Sequence, residues 1–221
     1  MQRAKRLAVV LFSAVSFAPL ASAGPATTKS SRSPVDTLKA WVGATHDPDP
    51  QTYKSVVVAD GEAEQRVLDT ASQLIAASAA FRQSALKSFG DAEVTKYNLR
   101  IKDAALPLSA IPGSDNANVT VQGDFAVVSD PGSSKSIELR RVDGEWRIPR
   151  SQIIPAVKTR PDLVQKNLLE LQAFADVLHD SADDIDTHHL RTAEEAAVLV
   201  KLRLTRKHEA IEAMGRPKGG G

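Results

Sequence analysis

Residues 137–148 read IELRRVDGEWRI, two short runs in which apolar and polar residues alternate. Alternation with a period of two is typical of a β-strand that buries one face. Asp143 and Gly144 separate the two runs, and Asp-Gly is a strong signal for a two-residue hairpin turn. The stretch therefore predicts a β-hairpin, with Trp146 packed in the core.

The sequence before this hairpin extends it into a meander. Residues 118–122 also alternate, and residues 125–128 form a short apolar run after Gly123 and Asp124. An earlier strand is expected within residues 99–111. Together these segments predict consecutive antiparallel strands joined by short loops.

Three helices are predicted before the strands. Ser33-Pro34 and Asp49-Pro50 each provide an N-cap followed by a proline in the first turn. The second helix is short and includes Tyr53, Val56 and Val57. The third is long, with Asp60 as its cap and Gly90 as its C-terminal stop.

Two further helices are predicted after Pro155. Apolar residues recur at helical spacing between Val164 and Leu178. The last helix begins at Thr192, whose spacing to Glu195 matches a capping box.

Two parts of the chain resemble the nuclear-transport-factor-2-like superfamily, also called SnoaL-like or cystatin-like. SPVDTLKAW at 33–41, followed by Asp47-Pro48-Asp49, is similar to the family's opening helix and the acidic turn into its second helix. GDFAVV at 123–128, together with 137–148, resembles the family's paired hairpins. The resemblance implies an α+β fold in which N-terminal helices pack on a curved antiparallel sheet around a cone-shaped pocket.

The resemblance also sets the predicted domain boundaries. The family-like domain is placed at 33–155, a C-terminal helical segment of two additional helices at 156–214, and a flexible tail at 215–221. Some members of the family carry out acid–base chemistry in the pocket, and many bind apolar ligands. Fold alone does not choose between these functions.

The first 23 residues predict a secretory signal peptide. Basic residues precede an uncharged run of about 14 residues from Leu7 to Leu20, shorter than the roughly 20 residues that span a bilayer. Cleavage is expected between Ala23 and Gly24, after a small-x-small pattern. We expect an exported bacterial protein, periplasmic or secreted, with a disordered leader at 24–32 and no membrane insertion after cleavage.

Charge and cysteine content narrow the possible functions. Removing residues 1–23 takes away three of the 28 Lys and Arg residues and none of the 27 acidic residues, which leaves a formal charge of −2. A near-neutral surface argues against binding to nucleic acid. The chain has no cysteine, which excludes thiol catalysis, zinc–thiolate sites and iron–sulfur clusters.

Four aromatic residues are candidates for a pocket: Trp41, Tyr53, Tyr97 and Trp146. A tyrosine suits apolar surroundings when its oxygen is paired. The alternative is that the tryptophans pack in the core and the tyrosines lie at its edge.

The histidines do not predict a metal site. His188 and His189 follow an acidic stretch at 180–186, but adjacent residues on a helix point about 100° apart, and the stretch lacks the glycine and final glutamate of a calcium loop. We therefore interpret this stretch and its two histidines as a solvated loop. His179 and His208 are isolated near helix ends. No catalytic, cofactor-binding or metal-binding residue is predicted, and no cofactor.

Three functional hypotheses remain. The leading one is a non-catalytic exported domain that binds a small apolar ligand or another protein. The alternative is a SnoaL-like enzyme, a cyclase, isomerase or hydrolase that uses a pocket carboxylate or tyrosine. The third is a structural partner in an envelope complex, with a homodimer among its possible forms.

Overall fold

The computed structural model describes residues 32–100, 116–131, 134–153 and 161–214. The predicted signal peptide, with its cleavage site at Ala23 and Gly24, lies outside the described residues. So do residues 24–31 of the leader, the C-terminal tail and most of the strand expected at 99–111. Within the described part, no helix is long and apolar enough to cross a bilayer.

The described residues form an α+β fold of six helices and five strands. In chain order these are α1 Pro34–His46, α2 Pro50–Val56, β1 Val57–Val58, α3 Glu62–Lys96, β2 Asn118–Gln122, β3 Phe125–Ser129, β4 Ser136–Val142, β5 Glu145–Pro149, α4 Arg150–Ile153, α5 Pro161–Asp186 and α6 Ala193–Met214.

The strands form one open sheet in the order β1-β5-β4-β3-β2. The meander from β2 to β5 is antiparallel, as predicted, and Asp143 and Gly144 make its last turn with positive φ angles of 53° and 82°. The sheet as a whole is mixed, because β1 pairs in parallel with β5. The prediction of a purely antiparallel sheet was therefore wrong, as was the placement of Val57 in the second helix.

Local capping fixes where most helices begin. The Ser33 hydroxyl accepts a hydrogen bond from the Asp36 amide at 3.1 Å, and the Asp49 carboxylate accepts from the Gln51 and Thr52 amides. Each cap satisfies amides that have no partner within the helix. Both predicted starts are confirmed.

The beginning of α3 differs from the prediction. Its N-cap is Gly61, which has no side chain to cap the helix, and the Glu64 carboxylate instead accepts a hydrogen bond from the Asp60 amide at 3.0 Å. Gly90 interrupts the helix, as predicted, because its φ of +78° and ψ of 164° are not helical. The range of α3 joins two helical segments across this kink, and the second segment ends at Lys96. Asp60 pairs with Arg140 of β4.

One hydrophobic core joins the sheet to the helices. The inner sheet face carries Ala126, Val128, Ile137 and Leu139, and α1 contacts this sheet at β3 and β5. The main packing partner of α3 is α5, and Leu178 and Ile185 of α5 are fully buried in the same core. The C-terminal helices therefore share the core of the strands and N-terminal helices.

Candidate functional site

The structure places three of the four aromatic residues predicted for a pocket in the hydrophobic core, where Trp41 and Tyr53 lie next to each other. Trp41 and Tyr53 are fully buried, and Trp146 is 5% exposed. Trp146 lies at the inner sheet face, where the Arg141 guanidinium is 4.5 Å from the centre of its ring. Tyr97 lies elsewhere, beyond the kink of α3, and is partly exposed.

Tyr53 belongs to a buried polar cluster with Arg150. The Arg150 Nη1 donates a 2.9 Å hydrogen bond to the Tyr53 hydroxyl, and both side chains are fully buried. Burial raises the pKa of Tyr53, and the Arg150 charge offsets part of that rise. Burial also lowers the pKa of Arg150, while the nearby Tyr53 and Glu64 act in the opposite direction.

This cluster is closed rather than open to a ligand. The Nε and Nη2 atoms of Arg150 have no hydrogen-bond partner among the described residues, and no part of Arg150 or Tyr53 reaches solvent. Buried charges are costly unless paired, so the geometry assigns the cluster a role in holding α2, α3 and α4 together.

An apolar groove lies between the end of α3 and the middle of α6. Its volume is ≈ 300 Å³, and its lining includes the buried Phe81, Leu99 and Val200. Tyr97, Lys201 and Thr205 bring polar groups to the same lining. Within the described lining Lys201 is the cationic residue, and it is exposed. The groove therefore combines an apolar floor with one basic residue.

A helix C-terminal motif brings Tyr97 and Leu99 to this groove. Asn98 adopts a positive φ of 55° directly after the C-cap residue Tyr97. The Leu99 amide then donates to the Val94 carbonyl at 2.9 Å and the Asn98 amide to the Thr95 carbonyl at 3.2 Å. These two bonds define a Schellman motif, which usually joins apolar residues at the positions held here by Leu99 and Val94. Both are buried.

Tyr97 is held in place at the edge of the groove. Its hydroxyl donates to the Glu194 carboxylate of α6 at 3.3 Å. The Lys96 ammonium lies 4.7 Å from the centre of its ring, within the distance of a cation–π contact. Tyr97 thus links the end of α3 to the start of α6.

The same terminal motif explains His188 and His189. His188 has a positive φ of 60°. The His189 amide donates to the Asp184 carbonyl and the His188 amide to the Ile185 carbonyl. The pair therefore terminates α5. The acidic stretch 180–186 belongs to this helix, so its interpretation as a solvated loop was wrong.

A different histidine lies in a potential metal-binding group. Glu170 of α5 and His208 and Glu212 of α6 place one ligand atom each within 4.8 Å of one another. Glu170 and His208 also line a second groove between these helices, of ≈ 210 Å³. The prediction that His208 is isolated was wrong, because Glu170, which lies 38 residues earlier in the chain, is close to it in the structure.

Comparison with known proteins found no match. Neither a protein-family model, nor a curated protein, nor a solved structure matches this chain.

Proposed function

We propose that this chain is an exported, non-catalytic binding protein that holds a small anionic amphiphile in the groove between α3 and α6. The observation that carries the proposal is the combination of a buried apolar floor with Lys201 in the lining. The floor would remove the alkyl part of a ligand from water, and the ammonium would pair with its head group.

The size and lining of the groove support this class of ligand. Its volume of ≈ 300 Å³ matches the lower end of typical ligand pockets, which are mostly apolar with a few placed polar groups. Each methylene buried there contributes about 0.8 kcal/mol. A medium-chain alkyl carboxylate such as decanoate therefore fits both the apolar floor and the single described cation.

Calorimetric titration with decanoate below its micelle concentration tests the proposal. We expect saturable one-site binding, weaker in Lys201→Gln. The uncharged analogue decanol should bind the wild type and Lys201→Gln equally well. Lys207→Gln is the matched control, because Lys207 lies on the same helix but lines the other groove.

Two results would reject the proposal. One is the absence of saturable binding of either decanoate or decanol. The other is an equal loss of decanoate binding in Lys201→Gln and Lys207→Gln, which would indicate a general effect of charge. Ala197→Leu adds bulk to the lining and should weaken both ligands.

The enzyme hypothesis receives less support from the described residues. The contact between the Tyr97 hydroxyl and the Glu194 carboxylate is the tyrosine–carboxylate pair at this groove. This hydrogen bond is exposed to solvent, and it already occupies both the Tyr97 hydroxyl and the Glu194 carboxylate. Their arrangement is better suited to holding α6 against α3 than to moving a proton on a ligand.

We also infer that the chain is a divergent relative of the nuclear-transport-factor-2-like superfamily. The two capped N-terminal helices and the antiparallel strands from β2 to β5 support this relation. The chain departs from the family pattern in the helices α5 and α6, which pack on α3.

Export completes the proposal. N-terminal sequencing of the protein recovered from the periplasm or medium of the producing cell should begin at Gly24. Recovery of the chain from the cytoplasm with residues 1–23 retained would reject export while leaving the binding experiment valid.

A further inference from the structure

The two long C-terminal helices run antiparallel, and polar side chains line the contact near the start of α5. The antiparallel direction follows from the side-chain contacts, which pair Ser181 with Arg203 and Lys166 with Glu212. Between these pairs, Glu170 of α5 faces His208 and Glu212 of α6.

The positions of these three residues suit metal binding. His208 and Glu212 are four residues apart on one helix, so their side chains lie on the same face, one turn apart. Glu170 comes from the opposite helix, and its Oε1 is 3.9 Å from His208 Nδ1. In a tetrahedral zinc site, ligand atoms about 2.1 Å from the metal are separated by roughly 3.4 Å. The three ligand atoms here lie within 4.8 Å of one another, and rotations of these partly exposed side chains would bring them to the separation that zinc requires.

A cationic side chain already lies between the two carboxylates. The Lys166 ammonium contacts the Glu212 carboxylate and is 4.0 Å from Glu170 Oε1. The position between Glu170 and Glu212 therefore already favours positive charge. Lys166 is half-exposed, so its flexible stem can swing into solvent when another cation enters.

We propose that Glu170, His208 and Glu212 bind one Zn²⁺ ion and that Lys166 pairs with the two carboxylates when zinc is not bound. One imidazole and two carboxylates form a nitrogen–oxygen ligand set that zinc accepts. The neighbouring groove of ≈ 210 Å³ leaves at least one coordination position open to water or a small anion. The site is therefore an open three-ligand site rather than a closed structural one.

Calorimetric titration of the full chain, without an affinity tag, with Zn²⁺ tests the proposal. We expect one site per chain and at least a tenfold loss of affinity in His208→Ala and in Glu170→Gln. Lys166→Met should increase the affinity, because it removes the competing cation. Zinc should also raise the melting temperature of the wild type and not that of His208→Ala.

His179→Ala is the matched control. His179 and Asp183 form a histidine–carboxylate pair with the same four-residue spacing, 3.9 Å apart, but without a third ligand among the described residues. We expect the His179→Ala variant to bind zinc with the same affinity as the wild type. Equal losses in His179→Ala and His208→Ala, no saturable binding, or weaker binding in Lys166→Met would each overturn the proposal. Circular dichroism of each variant separates loss of binding from loss of folding.

Discussion

The Arg150 guanidinium donates a hydrogen bond of 2.9 Å to the Tyr53 hydroxyl, and neither side chain reaches solvent. The bond joins α4, which follows the last strand, to α2, which precedes the first. Because α2 leads directly into β1 and β5 leads directly into α4, the bond lies beside the parallel pairing of β1 with β5.

Removing the Tyr53 hydroxyl should destabilise the protein. Tyr53→Phe keeps the ring but leaves the buried Arg150 without its hydrogen bond. Hydrogen bonds to charged groups contribute about 1.5–3 kcal/mol, so we expect the free energy of unfolding to fall by that amount in urea denaturation. The double variant Tyr53→Phe/Arg150→Met should lose less than the sum of the single variants, because it leaves no buried charge. Strict additivity would contradict the pairing.

The same pair predicts a loss of stability at high pH. Burial raises the pKa of Tyr53 above its ordinary value of 10.0, so the folded state favours the neutral phenol. The stabilisation is complete below pH 10 and is lost as the pH rises through the folded pKa. The chain has only two tyrosines, so tyrosinate absorbance of Tyr97→Phe reports on Tyr53 alone. If Tyr53 ionises at the same pH in the folded and the urea-unfolded protein, its pKa is not raised by folding and the prediction is wrong.

Features set by neighbouring residues could be predicted from the sequence, and features set by distant residues could not. The caps at Ser33 and Asp49 depend on three or four consecutive residues, and both were predicted. So was the capping box, in which Thr192 and Glu195 exchange hydrogen bonds. The strand at Val57 was missed because its partner, Ile148, lies 91 residues later.

The candidate sites show the same limit. The sequence predicts that Tyr53 and Tyr97 are of a residue type that suits a pocket. It does not predict that they lie apart in space. The buried Arg150 has no sequence signal, because its burial depends on α2 and α3 packing over it. The grouping of His208 with Glu170 depends on the register of α5 against α6, which periodicity does not specify.

Substitution of Gly90 should test the kink in α3. Its φ of +78° and ψ of 164° belong to a region that is essentially restricted to glycine and costs other residues about 1–3 kcal/mol. A Cβ there would meet no atom within 4 Å, so backbone strain is the relevant effect. We expect Gly90→Ala to lower the free energy of unfolding by this amount.

Gly43→Ala is the control for the kink. Gly43 lies inside α1 and a Cβ there also meets nothing within 4 Å, so alanine should stabilise by roughly 0.5–1 kcal/mol. Opposite signs for the two variants in urea denaturation would support the kink. Stabilisation by both would indicate that α3 runs straight through residue 90.

Truncation of Ile185 should show whether the C-terminal helices stabilise the whole fold. Ile185 of α5 is fully buried in the core that also holds the strands. Beside it, the Ser84 hydroxyl of α3 donates to the Asp186 carboxylate at 2.9 Å. Isoleucine-to-alanine changes in a core cost about 2–5 kcal/mol, a large part of the 5–15 kcal/mol of a typical domain. We expect Ile185→Ala to lower the unfolding midpoint in a single transition, seen equally by helical circular dichroism and by tryptophan fluorescence. Trp41 and Trp146 lie outside α5 and α6, so their signal follows the rest of the fold. Val198→Ala is the control, because Val198 is 62% exposed and its truncation should change stability by less than about 0.5 kcal/mol. If Ile185→Ala instead shifts the helical signal and leaves the tryptophan transition unchanged, α5 and α6 unfold independently, and the shared core does not couple them to the sheet.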